Sequence, residues 1–415
     1  MQDSRFAQVA TQTTLQAAPT APKAGLTRRQ ACALAMLGFA GLGAGSLSAW
    51  ADAADGASGQ AQTAPDASPD VDAASGATKT AASADSASGD GAAPGTVAEH
   101  VAVPDDARDV PEAAVEPTLP LTLTDDQGRE VEVVSLDSVV ACMGSFAKVW
   151  QLAGGSLVGV TDDALDDYDL DGADGLALVG EFTSPNLEQI LALSPTLVVM
   201  SASSAGRGGQ SSQTDLVDPL EAAGVPVLTF KVTLFGDYLR MLRACCSLTG
   251  RYDLYRENGL ATADRIDGVL AAASAARQAQ GPDVQAPTCL IMTTYSGGTR
   301  VLNASSQAGA IAADLGALNL ADDNPSLLQD FSLESVVALD PDFIFALPMG
   351  DDAEAAQRAL EDQTSANPAW AGLTAVQEGR YQALDPKLFQ YKPLEAWDEA
   401  YRVMAKALYG DDVCA

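Results

Sequence analysis

From Leu121 onward, short apolar runs alternate with stretches whose apolar residues recur at helical spacing. Leu121–Asp125 and Glu130–Val134 alternate apolar and polar positions around Asp126-Gln127-Gly128, which predicts a hairpin. Apolar runs follow at Val139–Cys142, Leu157–Val160, Leu176–Val179, Leu197–Met200 and Val225–Phe230. They are short, rich in β-branched residues and largely apolar, as parallel strands covered on both faces are. Helical stretches separate several of them, so this half of the chain reads as an α/β lobe. Between about Tyr252 and Gln280 the strand signal disappears: Leu260, Ile266, Val269 and Leu270 sit among alanines. This predicts a helix of about 25 residues or more, roughly 40 Å long and able to run the length of two lobes. Strand and helix alternation restarts at Cys289–Thr293 and continues through a helix at Gln307–Leu315 and a strand at Arg380–Leu384. A last helix is expected over Leu394–Tyr409.

Two segments within this pattern echo each other. Asn186-Leu187-Glu188-Gln189-Ile190-Leu191-Ala192-Leu193-Ser194-Pro195 and Ser332-Leu333-Glu334-Ser335-Val336-Val337-Ala338-Leu339-Asp340-Pro341 each read as a capped short helix, a proline stop and then a buried strand. In both, a glutamate occupies the first turn, off the apolar stripe. Two similar lobes would thus present matched carboxylates. For one site alone, a first-turn glutamate complements the helix dipole and needs no further role.

Composition sets the boundaries. The chain has 415 residues, 47% hydrophobic, and a formal net charge of -33, with no basic patch for a nucleic-acid backbone. Thr27-Arg28-Arg29-Gln30, an apolar stretch from Ala31 to Ala49 and Ala49-Trp50-Ala51 resemble a twin-arginine export signal with its cleavage site, assigned to residues 1–51. At about 20 residues the stretch could also stay as an uncleaved anchor. Residues 52–117 are dominated by Ala, Ser, Asp, Gly and Pro and read as a disordered acidic linker. The protein is therefore expected outside the cytoplasm, tethered to the cell surface or secreted. Of six cysteines, five follow the signal, at 142, 245, 246, 289 and 414; their spacing fits no zinc or haem-attachment motif. A disulfide from Cys142 to Cys245 or Cys246 is permitted in that compartment but is not fixed by the sequence.

From about Leu121 to Tyr409 the chain resembles the substrate-binding proteins of ABC importers for ferric siderophores, haem and cobalamin. The resemblance rests on Val158-Gly159-Val160-Thr161, on Val179-Gly180 leading to Asn186-Leu187-Glu188, on Asp314-Leu315-Gly316-Ala317-Leu318-Asn319, and on the repeat around Glu334. It implies an α/β fold of two Rossmann-like lobes with central, mainly parallel sheets joined by a single long α-helix. The lobes would be residues 118–250 and 281–415, with the connecting helix at 251–280. It further implies a monomeric carrier with no cofactor of its own, a small-molecule metal chelate as cargo and an ABC permease dimer as partner. By motif, Glu188 and Glu334 would form ion pairs with permease arginines.

Ligand-contacting residues are expected on loops at the carboxyl ends of the strands, the edge that faces the cleft. In the first lobe these are Phe146, Tyr168, Phe182 and Arg207. The second supplies Tyr295, Arg300, Met349, Phe389, Tyr391 and Lys392. Aromatic faces with a few cations suit a bulky anionic or planar chelate. The only histidine, His100, falls in the linker, which removes His-liganded metal sites and His-dependent catalytic dyads from the lobes. Ser145-Phe-Ala-Lys148 matches the S-x-x-K of serine acylases, but the companion segments are missing, and no catalytic or metal-binding residue is expected. A ligand sensor or wall-attached scaffold with the same fold is the alternative to a transport protein.

Overall fold

The computed structural model describes residues 101, 103–203, 213–295, 298–329, 331–348, 358, 360, 364 and 367–414, with 105 and 295 by their backbone alone. The export-signal assignment and most of the linker lie outside the described residues.

The first lobe opens with the expected hairpin, β1 (Leu121–Thr124) against β2 (Glu130–Val133). Its turn is organised by Asp125. One carboxylate oxygen accepts the Gln127 and Arg129 backbone N–H groups, and the other accepts the Thr229 hydroxyl at 2.6 Å and the Arg129 guanidinium at 2.5 Å. Five short strands form an all-parallel sheet: β3 (Val139–Ala141), β4 (Gly159–Val160), β5 (Ala177–Leu178), β8 (Leu197–Ser201) and β9 (Val227–Phe230). A small hairpin of β6 (Gly180–Glu181) and β7 (Ser184–Pro185) stands off this sheet. The strand order β5-β4-β3-β8-β9 reverses direction at β3. The connections after β3 and β8 therefore leave on opposite faces, opening a crevice at the carboxyl ends of those two strands.

The second lobe repeats the plan with an edge the sequence did not reveal. β10 (Thr288–Tyr295), β13 (Phe343–Pro348) and β14 (Tyr381–Ala383) are parallel, and β12 (Leu318–Asn319) pairs parallel with the start of β10. Beyond β12, the same edge of β10 is covered by β11 (Gly298–Leu302), which runs antiparallel with Tyr295 opposite Gly298.

The connecting helix runs unbroken from Tyr252 to Ala279, about 42 Å at 1.5 Å per residue. It contains one wide π turn at Arg256–Leu260. There Gly259 lies so close to helix Phe235–Thr249 that an added Cβ would sit 2.9 Å from Leu239 Cδ2. Ile266, Val269 and Ala273 on one face are buried, and the last helix, Trp397–Tyr409, packs alongside. Arg265 pairs with Asp398 at 3.0 Å, and the Tyr401 hydroxyl donates to Asp314 of the second lobe. One continuous apolar core runs from Val133, Val139 and Phe230 through Ile266 to Ile291, Phe345 and Met404. Two separate cores lie on the far faces of the sheets, around Val198 and Ile190 in one lobe and Ile344 and Val336 in the other. The alternation along β8 accounts for this: Leu197 and Val199 face the shared core, Val198 and Met200 the outer one.

The linker boundary moves. Residues 103–117, expected to be disordered, lie across the connecting helix and its neighbour. Arg108 pairs with Asp264, Arg243 with Asp106, and the Arg256 guanidinium donates to the carbonyls of Val110 and Pro111. Val115 N–H donates to the Gly250 carbonyl at 2.8 Å. Composition misleads here because the segment is held by long-range charged and backbone partners, and its few apolar residues, Val103 and Val110, pack against the main core.

Candidate ligand cleft and docking face

The two repeated segments fold alike. Helices Leu187–Ala192 and Leu333–Leu339 are each capped by the residue before them: Asn186 Oδ1 accepts from Gln189 N–H at 3.0 Å, and Ser332 Oγ from Ser335 N–H at 3.2 Å. Ile190 and Val336 plug the two outer cores, which turns the first-turn glutamates outward. Glu188 and Glu334 are both exposed, and neither has a hydrogen-bond or ion-pair partner among the described residues. Both helices stop at a left-handed residue before proline, Ser194 (φ 49°) and Asp340 (φ 43°). At Asp340 the conformation is held by Thr374, whose N–H and hydroxyl donate to its carboxylate. These bonds pull its pKa below the usual range.

The cleft edge of the first lobe is built from the connections after β3, β4 and β8. Helix Gly144–Leu152 has no cap from its own N-cap residue, Met143. Asp163 supplies one from the next connection, accepting from Gly144 N–H at 2.7 Å and from the Thr161 hydroxyl at 2.7 Å. Burial raises the Asp163 pKa; these two donors act against it, while Asp162 and Asp167 add to it. Gly144 is required at this corner, since a Cβ would lie 2.8 Å from the Ala164 backbone and from the Tyr168 ring. Tyr168 then crosses the lobe boundary, its hydroxyl donating to the Tyr391 carbonyl at 2.5 Å. Burial, reinforced by Asp163, pushes that phenol's pKa up.

Phe182, at the tip of the β6–β7 hairpin, is 38% exposed, and its backbone is pinned at both ends. Its N–H donates to Asp162, and its carbonyl accepts from Gln213 Nε2 at 2.6 Å. The same buried amide donates to the Cys142 carbonyl and accepts from Ser201 N–H, tying together the ends of β3, β8 and the hairpin. Gln213 was missed from sequence, where nothing distinguishes it from any other polar residue following a Gly/Ser-rich loop.

Two expected contacts belong to the core instead. Phe146 is 1% exposed and meets Phe230 edge-to-face with centroids 6.4 Å apart. It shares a helix face with Val149 and Trp150, at i+3 and i+4. Phe389 is fully buried at the end of the one-turn helix Pro386–Phe389. Arg300 is exposed on β11 opposite Thr293, and Tyr295 ends β10. Arg207 and Met349 lie outside the described residues. Tyr391 and Lys392 follow Phe389 at the lobe junction. Lys392 has φ 66°, left-handed for a residue with a side chain, and burial lowers its ammonium pKa, with Asp237 of the first lobe acting in the opposite direction. A cavity of about 400 Å³ is lined by Lys231, Thr233, Leu234, Asp237, Arg240 and Asp126 of the first lobe and Ser305 of the second.

Ser145 and Lys148 form no catalytic dyad: Ser145 is buried, and Lys148 Nζ donates to the Asp169 carbonyl. The cysteines at 142, 245, 246, 289 and 414 are all unpaired. Among the described residues no helix is long and apolar enough to cross a membrane, and no cluster of His, Cys, Asp and Glu could hold a metal ion.

The chain has the architecture of known binding proteins. An ABC transporter substrate-binding protein from Listeria monocytogenes matches with a TM-score of 0.51 at 20% identity, over 66% of this chain and 98% of that one. Staphylococcus aureus SirA, solved with staphyloferrin B, gives 0.52 at 20% identity, over 70% and 98%. A periplasmic haem-binding protein from Pseudomonas aeruginosa gives 0.51 at 24% identity, over 66% and 92%. Likeness at this identity speaks to the fold. No curated protein sequence matches the chain. The model of the periplasmic binding protein family, however, matches residues 139–388, from β3 into the one-turn helix Pro386–Phe389. By that match, and with two lobes and a connecting helix to house the cleft, the chain belongs to the periplasmic binding protein family, and is an extracytoplasmic solute-binding protein rather than an enzyme.

Proposed function

We propose that the protein captures a metal chelate of the ferric siderophore class in the cleft between its lobes and delivers it to the permease of an ABC importer. One observation carries this reading: two unpartnered, exposed glutamates in the first turns of two equivalent helices, one on each lobe, with both lobes built onto one core. A protein that only sequesters or senses its ligand has no use for such a matched pair. Carboxylate–guanidinium pairing is directional, and two separated pairs would fix both lobes on a two-fold partner. The cargo reading is supported by aromatic side chains at the lobe junction, by the want of any histidine after His100, and by SirA, a likeness in fold that was solved with staphyloferrin B. In this proposal residues 1–51 direct export and the following segment leaves the lobes tethered to the cell surface or free outside it.

The test is the Glu188→Ala/Glu334→Ala double variant, after a thermal-shift panel of ferric siderophores, haem and cobalamin has identified the cargo. Affinity for the cargo should be unchanged. Uptake through the cognate permease should fall roughly tenfold or more, the loss expected from a single charged hydrogen bond of about 1.5 kcal/mol. Undiminished uptake in the double variant refutes the docking role.

A further inference from the structure

We infer that residues 103–117 splint a hinge in the connecting helix. The π turn at Arg256–Leu260 is the point where the lobes can bend against each other, and the segment that crosses it limits the bend. The inference needs only the two-lobed body and holds whatever the cleft carries.

The π turn falls where the helix passes from one lobe to the other. Up to that point it is fixed to the first lobe. Tyr238 Oη donates to the Asn258 carbonyl at 3.0 Å, Asn258 Nδ2 donates to the Leu152 carbonyl at 3.0 Å, and Gly259 lies against Leu239. Just beyond, it is fixed to the second lobe: the Arg265 guanidinium donates to the Glu395 carbonyl at 3.3 Å and pairs with Asp398 at 3.0 Å. A π turn interrupts the regular hydrogen-bond ladder, and helices kink at such places. This turn is also poorly satisfied. Tyr255, at its leading edge, is fully buried, and its hydroxyl has no hydrogen-bond partner among the described residues. A buried hydroxyl without a partner is destabilising, so the turn is a weak point in an otherwise regular rod.

The segment ahead of the hairpin runs beside this turn, opposite in direction to the helix, and is fastened on both sides of it. Two residues apart on the short helix Asp105–Arg108, Asp106 pairs with Arg243 of the first lobe at 3.0 Å, and Arg108 pairs with Asp264 beyond the turn at 2.9 Å. Arg108 also reaches Asp267 at 3.9 Å. At the turn itself, Arg256 donates to the carbonyls of Val110 and Pro111. On the near side, Val115 N–H donates to the Gly250 carbonyl. Val101, 2% exposed in the main core, holds the start of the segment. A bend at the π turn changes the distance from Gly250 to Asp264, and these fastenings resist it. The Arg108 pairs are exposed and individually weak, so the splint releases most easily at its far end.

The experiment uses the full chain with Cys414→Ser, Gln189→Cys and Ala338→Cys, which places one nitroxide label on an exposed position of each repeated helix; the remaining four cysteines after the linker are buried. Dipolar electron resonance then measures the distance between the lobes, and amide hydrogen exchange reads the connecting helix. Arg108→Ala/Arg256→Ala should broaden the distance distribution. It should also speed exchange at residues 257–263 about tenfold, as for the loss of a charged hydrogen bond, and leave 268–279 unchanged. Asp264→Asn/Asp267→Asn cuts the far fastening from the helix side and should broaden the distribution in the same way but by less. Should the first variant fail to fold, the second decides. An unchanged distribution in either folded variant would overturn the inference. So would exchange accelerated equally along the whole helix, because the segment would then stabilise the fold at large and not a hinge.

Discussion

Gly250→Ala tests whether residues 103–117 are part of the folded body. Gly250 ends helix Phe235–Thr249 in the left-handed conformation, φ 72°, with its N–H returned to the Cys246 carbonyl. A side chain there costs about 1–2 kcal/mol for the backbone alone. The position is also crowded from outside: a Cβ would come within 2.1 Å of the Val115 carbonyl oxygen and 3.1 Å of the Pro117 nitrogen. Val115 would have to retreat, losing its N–H bond to the Gly250 carbonyl, which adds about 1 kcal/mol. Together the substitution should cost about 2–3 kcal/mol. Gly224→Ala is the control, because Gly224 has a similar φ of 81° with nothing within 4 Å of the added carbon. It should show the backbone cost alone. Urea denaturation of both variants measures the difference, and limited proteolysis should open residues 103–117 in Gly250→Ala only. Equal destabilisation of the two variants, or unchanged proteolysis, would refute the idea that this segment is fastened to the lobe.

Two other measurements probe the interior. The Asp125 carboxyl is opposed by burial, which raises its pKa, but the donors Thr229 and Arg129 outweigh that and hold it below the usual carboxylate value. A depressed folded pKa contributes stability above the unfolded value of about 3.9 that is lost as pH falls through the folded one. Asp125→Asn should therefore cost about 2–3 kcal/mol at neutral pH. Its gap from wild type should close below about pH 4, and a gap constant down to pH 2 would count against the assignment. The Cys142, Cys246 and Cys289 thiols are pushed up to about 12 by burial, and burial likewise raises Cys245 well above the usual thiol value. Native protein treated with iodoacetamide at pH 8 should thus be labelled at the half-buried Cys414 and spared at those four; labelling of Cys245 or Cys246 without denaturant would contradict their burial.

The elements that the chain announced are those whose pattern is local. β3, β8 and β9 are short apolar runs, and the connecting helix is long enough for its periodicity to outlast ambiguity. β11 was missed because it pairs antiparallel at the edge of a parallel sheet: the run Gly298-Thr-Arg-Val-Leu302 carries little apolar signal until Val301, and only its neighbour β10 makes it a strand. Phe146 could have been placed correctly from sequence. It shares a helical stripe with Val149 and Trp150, and that stripe outweighs its nearness to a strand end.

The site separates along the same line. Its scaffold repeats, so the two capped helices with a first-turn glutamate could be found by comparing the chain with itself, down to the proline that follows each. The structure adds the residue before each proline. A residue preceding proline is steered away from the right-handed helical region, and Ser194 and Asp340 both leave the helix through the left-handed one instead. The cleft has no such internal copy. Gln213, the Tyr168–Tyr391 bond and the Arg240–Asp126 pair each join residues far apart in sequence, through polar atoms that leave no periodic trace. On the proposed reading, specificity would reside where the two lobes differ, and the helix repeated on both lobes is the part a two-fold permease would meet.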